Sequence, residues 1–106
     1  MKKFRLSEIK IMIWKADIDI YISKDMLTDK SCLGEQQGNK VILSPKIVSL
    51  KEFLDTACHE ICHYILPELE EDEIRKLTKK IMQSLTKTEK LHMFLKVSQH
   101  LKKVDL

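Results

Sequence analysis

A single small α+β domain is the fold that this 106-residue sequence predicts. Two observations carry that expectation. Ahead of residue 45, short apolar runs alternate with polar residues at the two-residue period of strands. From Ser49 onward, capped segments repeat apolar residues at the spacing of helices.

Residues 1–8 form a polar lead. Ile9, Ile11 and Ile13 alternate with Lys10, Met12 and Trp14, and Ile18, Ile20 and Ile22 alternate with Asp19 and Tyr21. Both runs read as strands, with a break near Lys15–Asp17, because their apolar sets fall on opposite parities. A short helix over Leu6–Trp14 is the competing reading of the first run. Residues 23–40 are polar and contain both glycines, Gly34 and Gly38, with Gly38-Asn39 as a turn signal. Val41-Ile42-Leu43 is a strand ended by Ser44-Pro45. Lying just ahead of the next helix, it could form an edge along a cleft, where an extended peptide would pair with it.

Ser49-Leu50-Lys51-Glu52 has the pattern of a capping box, which makes Ser49 an N-cap, and Pro67 stops the helix after Leu66. Within it, Leu50, Leu54, Ala57 and Ile61 recur as a core stripe. Nearly opposite stand two histidines of the pattern His59-Glu60-x-x-His63. Residues four apart on a helix lie one turn apart on one face. Both imidazoles can therefore reach one Zn²⁺, and Glu60 sits beside it, placed to take a proton from a water held there.

Past Pro67 comes the acidic run Glu68-Leu69-Glu70-Glu71-Asp72-Glu73, then Ile74, Leu77, Ile81 and Leu85 at helical spacing. First-turn acids suit the helix dipole. The connection is short, so one of these carboxylates is placed to return as a third metal ligand. Thr86-Lys87-Thr88-Glu89 is a second capping box and opens a third helix. Leu91, Phe94, Leu95 and Leu101 mark its expected packing side, and Lys87, Lys90, Lys96, Lys102 and Lys103 its solvated side. His92 and His100 read as solvent-facing.

Net charge is +3 with 33% charged residues, which gives no strong electrostatic case for nucleic acid. Three cysteines, Cys32, Cys58 and Cys62, make no disulfide framework. Cys58 and Cys62 read as small packing residues on the metal helix. No signal-length or membrane-length apolar run is present, so a cytoplasmic, monomeric protein is expected.

The run Asp55–His63 followed by Leu66-Pro67-Glu68-Leu69 and Ile74-Arg75-Lys76-Leu77 resembles the minigluzincin-like metallopeptidases, small single-domain zincins of bacteria and phages. The resemblance covers roughly residues 9–85, and its specific part is residues 55–77. It implies a zincin-like domain spanning residues 1–106: a three- or four-stranded sheet beside the HExxH helix, then a glutamate helix and a C-terminal helix over residues 86–106. It further implies a zinc-dependent peptidase acting on peptide or protein substrates. His59 and His63 would bind one zinc ion, Glu60 would be the general base, and the third ligand would be Glu71, with Glu70 and then Glu73 as alternatives. A zinc-stapled but catalytically silent or latent interaction protein is the other function considered, with the C-terminal helix across the cleft.

Overall fold

The first isoleucine run is a helix. In the computed structural model, which describes residues 4–105, α1 spans Leu6–Lys15. Residues 1–3 of the polar lead and residue 106 lie outside the described residues. Ile9 and Ile13 suit a helical and an alternating pattern equally, and both are buried. Ile11 separates the two patterns: as the middle of a strand face it would be buried, yet it is 53% exposed. The strand expectation for this run is therefore corrected to a helix, which packs against the later helix that carries His59 and His63.

The second run forms β1, Asp19–Ile22. Next comes β2, Gly34–Gln37, a strand that the polar sequence Gly-Glu-Gln-Gln did not announce. It pairs antiparallel with β3, Lys40–Leu43, through a two-residue turn at Gly38-Asn39. Gly38 takes φ +61° at the first turn position, where a side chain is disfavoured. β3 then pairs parallel with β1.

Three helices follow: α2, Leu50–Ile65; α3, Glu71–Ser84; and α4, Lys87–Gln99. The chain then adds β4, Leu101–Val104, parallel to β1. The residues expected to continue the last helix are thus partly strand. The result is a four-stranded mixed sheet in the order β2-β3-β1-β4, with four helices among the described residues. β3, proposed above as an edge along a cleft, is interior, with Val41, Ile42 and Leu43 fully buried. The edge beside α2 is β2 instead.

The core lies between sheet and helices. Ile20, Val41 and Leu43 of the sheet share one buried cluster with Leu54, Ala57 and Ile61 of α2 and Ile74 and Ile81 of α3. In α4 the buried pair is Met93 and Val97, and the expected stripe of Leu91, Phe94 and Leu95 lies on exposed positions. Leu50, the first residue of the α2 stripe, is exposed as well. No helix among the described residues is long and apolar enough to cross a membrane.

Candidate metal centre

Helix α2 starts and stops where its sequence implies, with the Ser49 half of the expected capping box formed. The Ser49 hydroxyl accepts the backbone N–H of Glu52 at 3.1 Å. Leu66 closes the helix by donating to the Cys62 carbonyl at 2.9 Å. Cys58 and Cys62 are fully buried and free of any disulfide, in keeping with packing residues. Burying one flank this way leaves His59 and His63 half-buried on the other.

The two rings converge. Their Nε2 atoms stand 3.2 Å apart, with the rings edge to face. Glu71, the first residue of α3, spans both: His59 Nε2 lies 2.8 Å from Oε1 and His63 Nε2 2.7 Å from Oε2. Its neighbours are committed elsewhere. Glu70 is the N-cap of α3, and the Glu73 carboxylate accepts the backbone N–H of Glu70 at 3.2 Å. The capping chemistry thus takes Glu70 and Glu73 out of the competition and leaves Glu71 turned toward the histidines.

Glu60 is only 9% exposed. One ligating atom each from His59, Glu60 and His63 lie within 4.8 Å of one another, a group that could hold a metal ion. Burial, with the negative Glu71 and Glu35 nearby, pushes the Glu60 carboxyl up to about 7. Burial lowers the affinity of the His59 imidazole for a proton, against the pull of Glu71. For Glu71, burial works upward but the two imidazoles outweigh it and hold the carboxyl below its ordinary value.

These residues fit a cation. Each Nε2 must carry a proton to donate to Glu71, yet the same two nitrogens face each other at 3.2 Å. A positive ion in place of those protons relieves the conflict. Ligands about 2.05 Å from a tetrahedral ion stand roughly 3.3 Å apart, close to the spacing of the nitrogens.

Beside the centre runs a cleft of about 1330 Å³, walled by the segment leading into β2 and by α2, α3 and α4. Gly34 brings β2 against α2: a Cβ there would sit 2.5 Å from Thr56 Cγ2 and 3.2 Å from both Cγ and Oε2 of Glu60. The loop before it is held by the Lys30 ammonium, which donates to the carbonyls of Lys24, Asp25 and Leu27 at 2.7–2.9 Å. Thr28 anchors that loop to β2 by donating its hydroxyl to Glu35 Oε1 at 2.7 Å.

Sequence reasoning missed β2, Gly34's close approach and the cleft-lining side of α4. The Gly38-Asn39 turn two residues ahead of a strand was the available signal for a hairpin. Of the remaining histidines, His92 is exposed as expected. His100 is instead half-buried, its Nδ1 2.9 Å from the Ile18 carbonyl. Tyr64 packs against the core.

No family model, no curated protein and no solved structure matches the chain. What fold and site define is a small α+β domain with a side-chain group able to hold a metal ion.

Proposed function

We propose that the protein is a zinc-dependent metallopeptidase of the HExxH type, similar in plan to the minigluzincin-like zincins. One observation carries the reading: a carboxylate from the next helix spans two imidazoles one turn apart, with a buried glutamate alongside, at one end of a long cleft. His59, His63 and Glu71 would hold the ion, a nitrogen-and-oxygen donor set that suits zinc and leaves one position open. The chemistry zinc supplies in such a site is acidification of a water molecule and polarisation of a carbonyl.

The chain's own residues do the rest. Glu60 accepts a proton from the attacking water at a carboxylate oxygen and passes it to the departing amine nitrogen. Its burial suits that exchange, since a carboxylate taken out of water holds a proton more readily than an exposed one. Gly34 lets the edge strand β2 lie over Glu60, where an extended peptide can add to its outer side by backbone hydrogen bonds.

The latent alternative, with the C-terminal segment as a removable cover, gains no support. Met93 and Val97 are part of the core and β4 is part of the sheet. The test is zinc analysis together with Glu60→Gln. About one zinc per chain is expected in wild type and variant, with hydrolysis of a mixed peptide pool falling roughly 10²–10⁴-fold in the variant. A zinc-loaded wild type that cleaves nothing in the pool would leave the silent, zinc-stapled reading in its place.

A further inference from the structure

The cleft extends from the metal centre in one direction only. Along α2 its lining runs back from Glu60 through Leu54 to Leu50, and no residue beyond Glu60 contributes. The ten helical steps from Leu50 to Glu60 cover about 15 Å, the length of four to five residues of extended peptide. At about 1330 Å³ it exceeds the roughly 300–1,000 Å³ usual for small-molecule sites, which favours a polymeric ligand.

Its walls have two characters. Apolar side chains line it and yet stay open to solvent: Leu91 is 55% exposed and Phe94 37%, and Leu33 and Leu50 are exposed too. Exposed apolar groups gathered around one cleft mark a contact surface. Cations follow the α3–α4 side. Arg75 and Lys79 stand one and two turns past Glu71, and Lys87 and Lys90 open α4. No acidic side chain lies within ion-pair distance of Lys79, Lys87 or Lys90 among the described residues. The acids of the lining are Asp55, Glu60 and Glu71; two of these belong to the centre itself, and Asp55 faces Lys51 at 4.0 Å.

We propose that this groove binds an acidic, amphipathic peptide segment. Bulky apolar side chains would lie against Leu50, Leu91 and Phe94, and carboxylates would meet Lys79, Lys87 and Lys90. Charge complementarity selects this occupant. A nucleic-acid backbone matches less well, because the inner end is acidic and much of the lining is aliphatic. The inference rests on the peptidase reading for the reaction, but the groove's preference stands on its own lining.

The experiment uses zinc-supplemented full-length Glu60→Gln protein and fluorescein-labelled ten-residue peptides. The peptides carry Leu and Phe with either Glu or Lys in the intervening positions. Acidic peptides bind more tightly than their lysine counterparts. The exposed-site substitutions Lys79→Glu and Lys87→Glu each weaken acidic-peptide binding about five- to tenfold and improve lysine-peptide binding. Leu91→Ser weakens both peptide sets. Equal binding of the two sets, or tighter binding of a labelled oligothymidylate that Lys79→Glu abolishes, overturns the proposal. So does self-association at micromolar concentration that Leu91→Ser abolishes. Wild-type cleavage separates the two readings. Acidic peptides that bind but are never cut leave the groove standing and defeat the peptidase; peptides cut without charge preference do the reverse.

Discussion

Gly34→Ala is the sharpest perturbation of the site, because it adds one methyl group at a point of contact between the sheet and α2. The new Cβ would lie 2.5 Å from Thr56 Cγ2. Ordinary carbon contacts begin at about 3.5 Å, so strand and helix must part by about 1 Å. Thr56 has one escape, since a threonine on a helix chooses between two rotamers. Overpacking of this kind costs roughly 1–3 kcal/mol, which for a domain of this size lowers Tm by about 4–8 °C per kcal/mol. Because the shift falls on the strand lying over Glu60, the peptidase proposed above would lose about 10²-fold in kcat/KM, a loss that a 1 Å misplacement can cause. The assay is a double-mutant cycle in thermal unfolding and peptidase rate. Thr56→Ser removes the clashing methyl and restores most of both losses, leaving the milder 3.2 Å approach to Glu60. A Gly34→Ala protein as stable and active as wild type would refute the reasoning, as would a double mutant no better than the single.

Three further outcomes follow from the same geometry. Glu71→Ala weakens zinc affinity by tenfold or more in a competition titration. Glu70→Ala instead keeps the metal and loses about 1 kcal/mol of stability, as expected when an N-cap is removed; the opposite ranking would transfer the ligand role. In metal-free protein the folded-state Glu60 carboxyl titrates above its ordinary 4.5, at about 7, so its contribution is full below pH 4.5 and is lost as pH rises through 7. The Tm of chelator-treated wild type therefore falls over that window relative to Glu60→Gln, whereas Glu35 and Glu71, held low, act in the opposite sense in both proteins. Truncation after Ser84 removes Met93, Val97 and β4, and the fragment is expected to lose cooperative unfolding in circular dichroism; a folded, newly active fragment would instead revive the latent-cover reading.

How far the sequence reached depended on how local each interaction is. Ser49 and Thr86 cap their helices through contacts three residues away, so their roles were legible. The pairing of His59 with His63 needs only one helical turn, and the five-residue link from Leu66 to Glu70 keeps α3's acids nearby. Ile9–Ile13 was harder, because both periods turn Ile9 and Ile13 inward and only the exposure of Ile11 separates them. On α4, either of two apolar faces could have turned inward; the core beside α2 took Met93 and Val97 and left Leu91 and Phe94 to the cleft.

By itself, then, the sequence determined the helix that carries His59 and His63, its ends, the side on which both imidazoles stand and the short list of carboxylates able to join them. These follow from chain geometry within a turn or two. Tertiary structure alone decided that Glu71 meets the histidines, that β2 forms the edge over Glu60 and that α4 walls the groove. Each of those depends on which distant surfaces exclude water from one another, and residues far apart in the chain encode that only jointly.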